Sequence, residues 1–320
     1  MLEAIIFVLC GLGLLAFGAD RFVDGALSLS ARFGISPMIV GVVVVGFATS
    51  APELFVSTIA ALESHPTLSI GNAIGSNTAN IGLVLGVTAL VFPLQIKSSL
   101  LKREFPIMLV GLLLSTLLML DLRIGLIDGL VFLSGLFFLL SIMVFLNGNV
   151  KDESFDDGEY PISAKEKEMR VWKPYFLFLG GLALLLIGSE MLVKGAVSLA
   201  KHFGATDVFI GLTIVAVGTS LPELAASLAS ALKKATDLAV GNIIGSNLFN
   251  ALGVVAMAAL FHPFSIDLII LQRDVSVMWF FTLLLLLVII ISRKKGKLGR
   301  LSGLMFLLSF IFYQITLFLG

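Results

Sequence analysis

Ten apolar runs take up most of this 320-residue chain, at roughly 2–30, 36–62, 70–93, 104–120, 126–146, 174–200, 206–232, 240–262, 275–292 and 300–318. A helix that crosses a bilayer needs about 20 mostly apolar residues. Runs of this length, packed this closely, leave no room for a large soluble domain. The predicted fold class is therefore an all-α membrane protein with ten transmembrane helices. Composition agrees: 58% of residues are hydrophobic and 13% charged, where a soluble domain carries about a quarter charged residues. That balance excludes a soluble globular enzyme and a disordered chain. A formal net charge of zero offers no basic surplus for nucleic acid. The single cysteine, Cys10, excludes an intrachain disulfide and a cysteine-based metal cluster. Met1-Leu2-Glu3 opens the chain on an acidic residue before a long apolar run, which reads as a first membrane helix rather than a secretory signal.

The strongly polar stretch from Asn147 to Lys173 divides the runs into two groups of five. Its acidic residues invite a calcium-loop reading, but counting from Asp152 places Asp157 and Ser163 where such a loop needs Gly and Glu. A solvated linker is the expectation. The two groups repeat. Gly71-Asn72-Ala73-Ile74-Gly75-Ser76-Asn77 returns as Gly241-Asn242-Ile243-Ile244-Gly245-Ser246-Asn247, and Thr49-Ser50-Ala51-Pro52-Glu53 returns as Thr219-Ser220-Leu221-Pro222-Glu223. Both shifts are 170 residues (241 − 71 and 223 − 53), and the same shift matches Phe33-Gly34 to Phe203-Gly204 and Arg103 to Arg273. A constant offset without gaps is the mark of a duplication.

Five helices is an odd number, so the second copy must enter the membrane the opposite way up, as in the inverted repeats of many secondary transporters. The basic residues give the orientation. Loops on one side hold Arg32, Lys97, Lys102, Arg103, Lys233, Lys234, the basic residues of the linker and the run from Arg293 to Arg300. Loops on the other hold Arg123, Lys201 and Arg273. The positive-inside rule then predicts both termini outside and a cytoplasmic linker. The expected organisation is a first repeat at 1–146, a linker at 147–173 and a second, inverted repeat at 174–320.

Glu53 and Glu223 lie inside apolar runs, at matching places, with no Lys or Arg at membrane depth in the same runs. A carboxylate there is costly and usually marks an ion path. Pro52 and Pro222 have no N–H, which removes the helical donor from the carbonyls of Ala48 and Gly218. Broken backbone at that depth is tolerated only when buried in protein or lining a cavity. Freed carbonyls, the hydroxyls of Thr49, Ser50, Thr219 and Ser220, and two carboxylates make an all-oxygen donor set, which suits a hard cation such as Ca²⁺. The glycine motifs read first as close helix packing. A half-helix starting at them would also project Ser76 with Asn80, and Ser246 with Asn250, toward the centre. His65, His202 and His262 sit at segment ends and read as loop residues. Asp20, Arg21, Asp24, Glu190 and Lys194 read as side chains reaching for the membrane interface.

These paired motifs, in two five-helix halves, resemble the alpha repeats of the cation/calcium antiporter superfamily, and most closely its prokaryotic sodium/calcium exchanger branch. The first copy departs slightly, with Ala48 where the pattern has Gly. The resemblance implies exchange of Na⁺ for Ca²⁺ by alternating access, no cofactor and no enzymatic activity. It implies Ca²⁺ ligation by the carboxylates of Glu53 and Glu223 with the carbonyls of Thr49 and Thr219. It implies Na⁺ sites that share these groups and add the carbonyls of Gly46 and Ala216, the hydroxyls of Ser50, Ser220, Ser76 and Ser246, and Asn80. Asn250 stands where several members have Asp, which leans against K⁺ co-transport. Gly75 and Gly245 stand where the proton-coupled branch usually has Glu, which favours Na⁺ over H⁺. The expected partners are Ca²⁺, Na⁺ and the lipid bilayer, the expected state a monomer, and the expected location the inner membrane. The rival readings are a Ca²⁺/H⁺ antiporter, a passive cation channel, and a membrane hydrolase using Ser50 or Ser220, for which no nearby His or Lys supplies a base.

Overall fold

The computed structural model describes residues 1–148, 171–204, 216–293 and 296–319. Most of the linker, with its calcium-loop reading and its placement, and the first part of the run at 206–232 lie outside the described residues. The apolar runs form helices: α1 (Leu2–Phe33), α2 (Pro37–Thr49), α3 (Ala51–Leu62), α4 (Thr67–Val91), α5 (Glu104–Leu118), α6 (Leu126–Gly148), α7 (Lys173–His202), α8 (Ala216–Gly218), α9 (Leu221–Leu232), α10 (Thr236–Phe261), α11 (Ile270–Ser292) and α12 (Arg300–Leu319). Among the described residues, seven of these are long and apolar enough to cross a membrane, and the bent α2–α3 pair makes eight. Helices α5 and α9 are shorter, at 15 and 12 residues.

The chain is an integral multi-pass membrane protein whose helices are sorted by depth. In the apolar stretches of α4 and α10, 72% and 89% of residues are buried, against 22% and 28% in α1 and α7. The polar motifs therefore belong to the innermost helices.

Glycine spacing decides how α1 meets α7. Gly11, Gly18 and Gly25 recur every seven residues, and a shift of 170 gives Gly181, Gly188 and Gly195. A Cβ at Gly11 would meet the backbone of Leu192 and Gly188, one at Gly18 the backbone of Leu185 and Gly181, and one at Gly195 the backbone of Ala4 and Val8. Rising numbers on α1 thus face falling numbers on α7, so the two helices run antiparallel with their backbones in contact. Small residues permit this approach where lipid gives no hydrophobic drive between helices. Phe22 and Phe178 stack at 4.7 Å over the seam. Parallel packing of the same kind joins α2 to α10, where Gly41 faces Leu238 and Gly241 and Gly46 faces Gly245.

Contacts across the halves also repeat. Asn77 donates to the sulfur of Met278, and Asn247 to the sulfur of Met108, which are the same two positions exchanged between halves (77 + 170 = 247 and 108 + 170 = 278). Two-residue strands close both ends of the bundle in the same fashion. β1 (Leu94–Gln95) pairs with β4 (Lys297–Leu298), and β2 (Arg123–Ile124) with β3 (Phe264–Ser265), each antiparallel and each joining one half to the other.

The glycine motif starts no half-helix, contrary to expectation. It lies within continuous helices that begin earlier, at Thr67 and Thr236. The departure from α geometry comes after the motif, in π-turns at Asn80–Leu85 and Phe249–Val254. Such turns recur at functional positions because they rotate the side chains that follow. Two of the charged residues read as reaching for the interface are also paired across the halves: Asp20 and Asp24 of α1 both meet Lys233 beyond α9, at 2.7 and 2.6 Å. Burial would lower the Lys233 ammonium, but hydrogen bonds to Asp20 and Asp24 outweigh it and hold it above the ordinary lysine value. Glu190 pairs within α7 with Lys194 at 2.6 Å.

Candidate functional site

Two broken helices frame the site. Helices α2 and α3 bend by 41° at Ser50, whose φ of −84° and ψ of 2° leave the α region. Ser220 repeats the break between α8 and α9, with φ −89° and ψ 4°. In both cases proline stands in the first turn of the following helix, where its missing N–H is tolerated. The sequence T-S-x-P-E thus ends one helix and starts another, and its glutamate falls in the new first turn. The exposed N–H groups and dipole of a helix start favour a negative side chain there. That local field is what the chain supplies to two carboxylates that are each only 1% exposed.

The neighbouring helices fix the geometry. Asn72 of α4 donates to the carbonyl of Glu53 at 3.3 Å and to the hydroxyl of Ser57 at 3.2 Å. Asn242 of α10 makes the equivalent bonds, to the carbonyl of Glu223 at 3.3 Å and to Ser227 at 2.9 Å. Three contacts then tie the copies together. The Thr49 hydroxyl donates to Asn242 Oδ1 at 3.1 Å and lies 3.4 Å from Ser246 Oγ. The Ser50 hydroxyl donates to Glu223 Oε1 at 3.3 Å. Residues 170 or more apart in sequence therefore meet in one buried centre.

Of the residues named from sequence, the structure places Thr49, Ser50, Glu223 and Ser246 in this hydrogen-bonded cluster. The Gly46 carbonyl lies at its edge, accepting from the Ser50 N–H at 3.1 Å and from Thr49 Oγ1 at 3.5 Å. Glu53 sits one helical turn beyond Thr49 and Ser50. Ser76, Asn80, Ser220 and Asn250 are all buried. Thr219 is half-buried, and nothing is described of the Ala216 side chain beyond its place at the start of α8.

The unpartnered atoms carry the chemistry. Both carboxylate oxygens of Glu53, Oε2 of Glu223, Oγ of Ser220 and both amide atoms of Asn80 and Asn250 are buried without a hydrogen-bond partner. Buried polar atoms are normally satisfied, because leaving one unmade costs about 1–3 kcal/mol. Here they fall at repeat-related positions on the helices around the two breaks. Among the described residues no three or more His, Cys, Asp or Glu side chains are grouped so as to hold a metal ion. The donor set is instead hydroxyl, amide, carbonyl and two carboxylates, as a hard cation requires.

Asn72 and Asn242, with Ser57 and Ser227, are absent from the sequence reading of the site. The signal was present: a polar residue inside each glycine motif, identical at the 170-residue shift. In the second motif Gly241 and Gly245 pack against the backbone of α2, while an added Cβ at Gly71 or Gly75 meets nothing among the described residues, so the expected close packing holds for one copy; the asparagines of both copies hold the backbone of each glutamate.

Comparison with known proteins gives a consistent picture. The family model described as sodium/calcium exchanger protein matches residues 3–146 and 173–319. The putative antiporter CaxA of Alkalimonas amylolytica is 44% identical over 318 residues, covering 99% of each chain. The inner membrane protein YrbG of Escherichia coli is 37% identical over 291 residues, covering 87% of this chain and 86% of its own. A solved structure of the sodium-calcium exchanger NCX_Mj, soaked with zero Na⁺ and Ca²⁺, superposes with a TM-score of 0.82 at 32% identity and 99% coverage of both chains.

Proposed function

The chain belongs to the sodium/calcium exchanger protein family, and from that premise we propose that this cation/Ca²⁺ antiporter, a transporter rather than an enzyme, couples Ca²⁺ to Na⁺ by alternating access. The observation that carries the reading is the pair of buried glutamates in the first turns of two repeat-related breaks, with carboxylate oxygens left unpartnered. NCX_Mj, which this chain resembles along its whole length, is named for exchange of the same two ions.

The mechanism follows from charge. The two glutamates give the centre about −2, and bare carboxylates in a low-dielectric interior are expensive. One Ca²⁺, or several Na⁺, can neutralise that charge. The ligands proposed for Ca²⁺ are the carboxylates of Glu53 and Glu223 and the carbonyls of Thr49 and Thr219. For Na⁺ the proposed additions are the carbonyls of Gly46 and Ala216, the hydroxyls of Ser50, Ser220, Ser76 and Ser246, and the amides of Asn80 and Asn250. Loading by either ion species lets the protein switch between its two openings. The empty state switches poorly, so flux is exchange rather than leak.

Two inverted five-helix repeats, at 1–146 and 174–320 with the linker between them, supply two similar conformations with opposite openings. The antiparallel seam between α1 and α7 and the exchanged Asn–Met contacts support that arrangement. The basic-residue bias supports termini outside. The test is ⁴⁵Ca²⁺ uptake into proteoliposomes with Na⁺ and pH gradients set separately. Uptake driven by outward Na⁺ and indifferent to pH is expected. Uptake driven by a pH gradient without Na⁺ makes the protein a Ca²⁺/H⁺ antiporter, and flux without any counter-ion makes it a channel.

A further inference from the structure

The two breaks differ at one hydrogen bond. Pro222 has no N–H, so the Gly218 carbonyl four residues earlier lacks its helical donor. The hydroxyl of Ser189, on α7, donates to that carbonyl at 3.1 Å, and both residues are buried. Gly218 permits the approach, since a Cβ there would collide with Cγ2 of Val193 on α7. In the first repeat the matching residues are Ala19 on α1 (189 − 170) and Ala48 before Pro52 (218 − 170). Ala19 has no hydroxyl to give, and Ala48 carries the Cβ that Gly218 lacks. The departure of the first motif from its glycine pattern and the loss of the hydroxyl on the outer helix are thus two halves of one difference.

We propose that Ser189 is a positioning residue for ion binding: its hydroxyl takes the carbonyl that Pro222 strips, and so fixes the break that presents Ser220 and Glu223 and ties it to α7. The first break has no such tie to α1. The two copies of the signature are therefore unequal partners in one site. The second is held by an outer helix, and the first is held by its crossed bonds from Thr49 and Ser50 to the second copy. This inference rests on the cation-antiporter reading.

The experiment replaces Ser189 by Thr and by Val, which share a shape and differ only in the hydroxyl. Binding of ⁴⁵Ca²⁺ to purified protein is the primary readout, so the result stands whichever counter-ion drives transport. Ser189→Val and Ser189→Ala are expected to weaken Ca²⁺ binding about fivefold, the net worth of one neutral hydrogen bond, and Ser189→Thr to bind about fivefold more tightly than Val. In proteoliposomes the same factor should fall on the half-saturating Ca²⁺ concentration, with the maximal rate within twofold of the parent. Equal binding by the Thr and Val variants, or an unchanged Ala variant, would each overturn the proposal. Failure of the parent protein to bind Ca²⁺ at all would instead overturn the antiporter reading beneath it.

Discussion

Replacing Glu53 by Gln should change the sign of its effect with the ion. Glu53 is 1% exposed and neither of its carboxylate oxygens has a partner, while Glu223 shares the same centre with one oxygen taken by Ser50. Like charges sharing a buried centre repel by a few kcal/mol, about 4 kcal/mol for a separation on the order of 4 Å at an effective dielectric near 20. Glutamine removes that repulsion, but leaving its amide unpaired returns about 1–3 kcal/mol. Ion-free Glu53→Gln should therefore be more stable than the parent by roughly 1–3 kcal/mol, a rise in apparent Tm of about 2–6 °C at about 2 °C per kcal/mol. Ca²⁺ reverses the order. Removing one of two buried carboxylates that face a divalent ion costs about 3–5 kcal/mol, or two to three and a half decades of affinity. Thermal unfolding in chelator, followed by the fluorescence of Trp172 and Trp279, and then by Ca²⁺ titration, reads both quantities. A variant that is less stable without ions and binds Ca²⁺ within threefold of the parent would show that Glu53 is a packing residue and refute the reasoning.

Asn242→Ala removes the donors to the Glu223 carbonyl and Ser227 and the acceptor for Thr49, so it should lower apparent Tm by about 2–6 °C and weaken Ca²⁺ binding as well, read by the same two titrations. Lys233→Met leaves Asp20 and Asp24 without their shared cation. It should cost about 1 kcal/mol, seen as a Tm lower by about 2 °C, and the loss should shrink in high salt, since these side chains are partly exposed. A Lys233→Met protein with unchanged Tm at low salt would mean that the tie between α1 and the end of α9 carries no stability.

The helices and the two glutamates were legible because membrane physics leaves few alternatives. Apolar runs of this length must be helices, and a carboxylate inside one is conspicuous. The break at T-S-x-P-E was legible through proline's missing N–H. The onset of α4 and α10 was not, because Thr67–Leu68-Ser69 and Thr236–Asp237 look like loop, and their tertiary partners are distant in sequence: Ser69 donates to the carbonyl of Ser57 at 3.0 Å and Asp237 pairs with Lys97 at 2.6 Å. The π-turns at Asn80 and Phe249 leave no local signature, since they depend on how the side chains that follow are accommodated by the partner helices. Asp20 and Asp24 look like interface residues in one dimension. Their cation lies 209 residues from Asp24, in the other half, and no periodicity points to it. Ser189 was invisible for the same reason: a serine in a 30-residue helix that holds two, Ser189 and Ser198, means nothing until the carbonyl it serves is known.

The glycine seam between α1 and α7 has a mechanical consequence. Side-chain layers between helices can shear by changing rotamers, but backbone resting on backbone at three glycines of each helix has no such compliant layer. The pair is then a single beam of 32 and 30 residues reaching from one side of the protein to the other. A beam has one position at a time. Any displacement of one helix must therefore be shared by the other, and the two respond to a load as one element.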